Sequence, residues 1–350
     1  MAETFAEEPG MLWVVLAFLG FSLLLYCLLA GADFGAGVLE LFMRRDHRLA
    51  QRKIVERALG PVWEANHMWL ILIVVILFVG FPKVYTRVSI NLHLPLTAML
   101  LGIIARGCSF TFRHYDAVKG RSQRSYTLFF IFSSLWTPFC LGVVMGALIP
   151  GGIDPAATGY LEGYVRPWLR PFPMALGLFT VCLFSFLAAV YLIGESPAGP
   201  IRRQFMRRAA VASAVSVACG GLVFMAAGWD GIPLASLFLH SATASLCIIL
   251  ATFSLPALWF ALSKEWAWIP RIIAGGQVTL ILAAWLRVQF PVLVHLSGGE
   301  DLTYFNAHAP AAALYQLGMA LLVGSALILP ALFYLLRVFK LEGPLRQSEG

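Results

Sequence analysis

The chain has 350 residues, 60% of them hydrophobic and only 12% charged, with a mean hydropathy of +0.81. Soluble domains carry about 25% charged residues, so this composition excludes a water-soluble globule and predicts an integral membrane protein along the whole of residues 1–350. The net charge of +7 is sorted between alternate loops, as set out below, so it reports topology and argues against a nucleic-acid partner.

Met1 to Gly10 hold Glu3, Glu7 and Glu8 and no basic residue. A secretory signal needs a positive start, so the first apolar run is expected to stay in the mature protein. Crossing a hydrocarbon core of ~30 Å takes about 20 helical residues. Nine runs are long enough or nearly so, at 11–42, 64–82, 88–106, 126–149, 172–193, 209–228, 237–262, 268–290 and 312–336.

The first run contains Asp33, flanked by Gly31, Gly35 and Gly37, and then Glu40. Gly31-x-x-x-Gly35 is a close-packing pattern. Asp33 lies eleven residues before Arg44, or roughly 16 Å from the charged end of the helix at 1.5 Å per residue. Glu40 is two turns away on a similar face and reads as interfacial. The second run opens with Trp63-Glu64-Ala65-Asn66-His67-Met68-Trp69-Leu70. Glu64 is seven residues after Arg57, ~10 Å inward from the same side. An ionisable group inside a span costs about 2.5–3.5 kcal/mol on insertion scales, so a function is the default reading. A proton route inward follows from the residue order: Glu40 or bulk water, then Glu64, then Asp33, with His67 at i+3 from Glu64 able to relay. The structural alternative is a buried acid paired with an arginine such as Arg106, read here as lying at the end of the third run.

Asn91, His93 and Pro95 interrupt that third run. Farther on, His93 and His240 fall near the outer ends of their spans, which makes a bis-imidazole haem site conceivable. Pro95, Pro138 and Pro256 are compatible with the broken helices of a proton-coupled transporter. The six cysteines form no Cys-x-x-Cys and read as small apolar core residues. The longest connections, 150–171 and 291–311, are large enough only for a lid or a partner contact.

Basic residues concentrate in the odd-numbered loops and the tail. They leave only Lys83, Arg87, Arg166, Arg170 and Arg287 for the even loops. The positive-inside rule then puts the N-terminus outside and the C-terminus in the cytoplasm, which requires an odd number of spans.

The run Trp63 to Leu70, followed by Phe81-Pro82 and Tyr85, resembles subunit II of cytochrome bd-type quinol oxidases. Ala30-Gly31-Ala32-Asp33-Phe34-Gly35-Ala36-Gly37 is similar to that family's glycine-rich acidic segment, and Arg106 with Arg113 and Phe290-Pro291 also fit. The resemblance implies an all-α fold of nine transmembrane helices, two four-helix bundles plus one peripheral helix. It implies a heterodimer with a haem-bearing subunit I, which holds haem b and haem d and the quinol site. A small single-helix subunit, membrane lipid and quinone are further expected partners, in a bacterial cytoplasmic (inner) membrane. Subunit II itself is expected to bind no haem and no metal and to be catalytically silent alone. Its expected roles are to stabilise the assembly and to supply part of a cytoplasmic proton route through Glu64, Asp33, His67 and Glu40. Arg106, Trp63, Asn66 and Trp69 are expected as structural and charge partners. Two departures stand out. Ala30 replaces an acid that the family often carries, and Glu64-Ala65-Asn66 replaces Asp-Gly-Asn.

Overall fold

The computed structural model describes residues 10–43, 47–59, 63–115 and 121–336, with side chains for all of these except 63–65, 114, 115, 121–124, 335 and 336. The acidic start with Glu3, Glu7 and Glu8 lies outside the described residues, as do the side chains of Trp63 and Glu64. Among the described residues eight helices are long and apolar enough to cross a membrane, or nine if one bent pair counts as a single span.

A single rod opens the fold. It comprises α1 (Gly10–Leu25), a π-helical turn (Tyr26–Ala30), α2 (Gly31–Leu39) and a closing 3-10 turn (Glu40–Phe42). A short amphipathic helix follows, α3 (Arg48–Leu59), and then α4 (Trp63–Gly80), α5 (Pro82–Asn91) and α6 (His93–Tyr115). The remaining long helices are α7 (Arg121–Ala147), α8 (Pro171–Glu195), α9 (Pro200–Trp229), α11 (Ala242–Ser263), α12 (Ile269–Gln289) and α13 (Ala311–Leu336), with the short α10 (Leu234–His240) before α11.

Several predicted spans match these helices to within a few residues, but three depart: the run predicted at 209–228 is the end of a longer helix that begins at Pro200, and two others need correction. The run predicted at 88–106 begins at His93, because residues 82–91 form a separate helix turned 116° from α4. The cause is local. Phe81 leaves helical geometry at φ −136° and ψ 61°, Pro82 starts α5 without needing a donor, and Asn91 donates to the carbonyl of Gly163 at 2.9 Å. As a result α6 runs on to Tyr115, and Arg106 lies well inside it, not at a helix end. The run predicted to start at 237 begins at Ala242, because Ser241 is extended and caps α11 by accepting from the Ala244 amide at 3.4 Å. Pro138 and Pro256 sit inside the continuous helices α7 and α11, so the broken-helix argument for a transporter loses its basis at these two positions.

Helix α8 is the hub, packing on α2, α7, α9 and α12, while α6 packs on α7 and α11 on α12. The opening rod belongs to two neighbourhoods. Its first half, α1, packs with α4 and α13, and its second half, α2, with α7 and α8. The change of neighbours falls at the π turn. At Gly35 a side chain is not tolerated, since a Cβ there would come within 1.9 Å of the Phe184 carbonyl oxygen on α8.

The two long connections meet at one end of the molecule. Strands β1 (Val292–Val294) and β2 (Leu302–Thr303) pair antiparallel, and Ser297 donates its amide to the Ile153 carbonyl at 2.9 Å. Tyr304 lies in this cap, stacked on Phe290 and edge-on to Phe81, and burial pushes its phenol up to about 12.

Candidate functional site

The acids of the opening rod meet the arginines of α6 in two rungs. Asp33 and Glu40 are seven residues apart on one helix, and Arg106 and Arg113 are seven apart on the other, so each pair presents both charges on one face. In the upper rung both Asp33 carboxylate oxygens accept from Arg106, at 2.7 Å from Nη1 and 2.8 Å from Nη2. Nη2 also donates to the Asp33 carbonyl at 3.0 Å, and Nε donates to the Ser134 hydroxyl of α7 at 3.1 Å. The guanidinium sits over the Phe34 and Phe130 rings, 4.7 and 5.1 Å from their centroids. Asp33 is 1% exposed and Arg106 2%, so the pair is closed to bulk water. Bidentate geometry with aromatic faces on the cation is the arrangement that holds such a pair in low dielectric.

The lower rung is shared and partly open. Glu40 accepts from Arg113 at 2.9 and 3.1 Å and from Arg52 Nε at 3.2 Å, while Arg113 also donates to Glu56 at 2.8 and 3.0 Å. The side chain of Glu40 is fully covered, whereas those of Arg52 and Glu56 are 22% and 34% exposed. This corrects the reading of Glu40 as merely interfacial, because α3 folds back and covers it. Partial burial lowers the pKa of Arg52, against the pull of Glu40.

His67, Asn66 and Trp69 lie on α4 against the same rod. Asn66 is buried and donates to the Leu29 carbonyl in the π turn at 3.4 Å. The His67 ring packs edge-on to Phe34 at 5.8 Å, and Trp69 packs edge-on to Phe21 at 5.9 Å. The structure therefore brings Asp33, Arg106, His67 and Asn66 together and leaves Glu40 one rung away. For Glu64 only the helical backbone is described. Sequence reasoning named Arg106 as a partner but missed the Arg113–Glu40–Arg52–Glu56 cluster. The equal seven-residue spacings on the two helices were the available signal.

The two histidines of the haem reading each engage a carbonyl of the preceding turn, His93 that of Ile90 at 2.8 Å and His240 that of Ser236 at 2.7 Å. His240 belongs to the short α10, outside the span that was expected to carry it. Among the described residues no three His, Cys, Asp or Glu side chains converge as a metal site.

Residues 11–339 match the family described as cytochrome bd terminal oxidase subunit II. The chain is 27% identical over 312 residues to cytochrome bd ubiquinol oxidase subunit 2 of Bacillus subtilis (strain 168), covering 85% of each. It is 26% identical over 245 residues to cytochrome bd-I ubiquinol oxidase subunit 2 of Escherichia coli (strain K12), covering 68% of this chain and 63% of that one. A solved structure of bd oxidase from Geobacillus thermodenitrificans aligns with a TM-score of 0.74 and 23% identity, over 95% of this chain and 99% of that chain. At that identity the likeness is one of fold.

Proposed function

The chain belongs to the cytochrome bd terminal oxidase subunit II family, and on that footing we propose that it is the subunit without haem in a complex that oxidises quinol and reduces oxygen to water. The family match across residues 11–339 is the observation that carries this reading. In the proposed complex a partner subunit I holds haem b and haem d and the quinol site. This chain stabilises that partner and is catalytically silent alone.

The proposed orientation has the N-terminus outside and the C-terminus in the cytoplasm of a bacterial inner membrane, with the helices grouped as two four-helix bundles and a peripheral helix. The charge asymmetry supports it, and still does when Arg106 and Arg113 are taken out of the loop census as helix residues. Protons for water formation come from the cytoplasm and quinol protons leave outside, so turnover is electrogenic without a pump. Glu64 is the proposed acid on the inner side of the route, and Asp33 is the proposed deeper acid, bound by Arg106.

The test is a gentle detergent pull-down of the tagged chain from its native membrane. A haem-bearing polytopic partner, a reduced-minus-oxidised haem spectrum and quinol-dependent oxygen uptake are expected. A colourless preparation from membranes in which the complex is known to survive extraction overturns the reading. Within the intact complex, Glu64→Gln is expected to slow oxygen reduction with haem content unchanged, and full activity removes Glu64 from the route.

A further inference from the structure

The upper rung poses a transport problem. Asp33 has both oxygens committed to Arg106, and freeing it strands a buried guanidinium. A proton passing this level therefore needs groups that both accept and donate.

Such groups lie beside the pair and beyond it along the opening rod. Among the described residues, Ser22 Oγ, Tyr26 Oη, His67 Nδ1 and Thr137 Oγ1 are buried atoms with no hydrogen-bond partner. Ser22 and Tyr26 are one turn apart on the opening rod, and both are 0% exposed. Tyr26 begins the π turn on which α4 packs, and His67 is the α4 residue whose ring meets Phe34. Asp33 and Arg106 lie within electrostatic reach of both Tyr26 and His67. Thr137 is one turn from Ser134, which holds the Arg106 Nε.

Orphan hydroxyls run against the habit of this chain. Ser109, Thr180, Ser185, Ser196, Thr252 and Thr279 all return their proton to the carbonyl four residues back. Leaving a buried polar atom unpaired is costly, and the usual remedy is an internal water making two to four hydrogen bonds. π turns recur at functional sites because the widened turn shifts side chains and carbonyls out of α register. Ser216 and Trp285 also leave polar atoms unpaired, and they line an apolar cavity of about 390 Å³ that reaches the opening rod at Leu23 and Cys27.

We propose that Ser22, Tyr26 and His67 hold a chain of internal waters that carries protons past the ionised Asp33–Arg106 pair. This rests on the proton-route reading above and deepens it. Tyr26 is seven residues beyond Asp33, about 10 Å farther from the cytoplasmic end, and Ser22 is one turn farther still. The line thus runs from the level of His67 through the π turn. In each hop a hydroxyl or water accepts a proton on a lone pair and releases its own to the next oxygen, and the imidazole accepts on one nitrogen and releases from the other. Nothing is oxidised, one proton moves, and the ion pair keeps both charges. Tyr26 and His67 are the carrying groups.

The experiment uses the assembled oxidase in nanodiscs, with Tyr26→Phe, His67→Gln and the double variant. We expect the double variant to lose at least ~10-fold in quinol-driven oxygen uptake, the low end of what a proton-transfer group supplies being larger still. The solvent deuterium isotope effect is expected to rise, with haem content unchanged. Hydroxyl-radical footprinting of the unmodified complex is expected to label Tyr26 despite its burial, since bound water generates the radical in place. Unchanged uptake and isotope effect in the double variant overturn the inference. An unlabelled Tyr26 does so as well, and it decides the case if the variants do not assemble. Glu64→Gln separates the two levels: slow Glu64→Gln with a normal double variant removes only this water chain, whereas normal rates in all variants remove the proton route itself.

Discussion

The two rungs that join the opening rod to α6 have the same spacing and the same residue chemistry, acid to arginine, yet they are built for different ends. The upper one, Asp33–Arg106, is a closed pair in which four donor contacts converge on one carboxylate, its backbone carbonyl and a serine. The lower one, Glu40–Arg113, is a shared cluster whose outer members, Arg52 and Glu56, reach solvent. Burial makes the difference. A closed pair tolerates no loss of either member, while a shared cluster redistributes.

The sharpest way to break the comparison is Arg106→Met. It leaves the Asp33 carboxylate buried and unpaired and is expected to destabilise by about 3–5 kcal/mol, read as loss of assembled, haem-bearing complex. The double variant Asp33→Leu/Arg106→Met is expected to recover most of that loss, and no recovery means that the pair does more than neutralise charge. Next comes Gly35→Ala, whose Cβ would press on the Phe184 carbonyl oxygen and push α2 off α8. Overpacking of this kind costs about 1–3 kcal/mol, measured as a fall in thermal midpoint in detergent. Glu40→Gln is expected to cost less, about 1–2 kcal/mol, because Arg113 keeps Glu56. Arg52→Ala, at the partly exposed rim, is expected to cost under about 1 kcal/mol after solvent screening, and that small loss should shrink further in high salt. If Arg52→Ala matches Arg106→Met, the contrast between the rungs fails.

A control lies at the other end of the molecule. Tyr304 has its pKa raised from 10.0 to about 12 in the folded cap. Its contribution is therefore intact below the ordinary value and is lost as pH rises through the folded one. Cap unfolding between those values, monitored by aromatic absorbance, should become less pH-dependent in Tyr304→Phe.

Much of this was legible in the residues. Long apolar runs were enough to find most of the long helices, and Asp33 among glycines marked the buried acid. The bend after Gly80 was not legible as a bend, because Phe81-Pro82 can equally open a loop, and the 116° turn depends on tertiary partners such as Gly163 for Asn91. The burial of Glu40 was hidden for a related reason. It depends on α3 folding back, and the contacts of Arg52 and Glu56 join segments whose relative placement no local pattern encodes. The fully satisfied Asp33 was half legible, since Arg106 was named but set at the wrong place on its helix.

The separation between Asp33 and Arg106 along the chain has a consequence for biosynthesis. The acid leaves the ribosome 73 residues before its arginine. During that interval the first rod must enter the bilayer with an unpaired carboxyl, at the insertion cost of a charged residue, or with that carboxyl protonated. The long apolar run of α1 and the π turn offsets that cost. Helix α6 then arrives with the arginine that neutralises it, and pairing removes the cost of an unpaired charge on both helices.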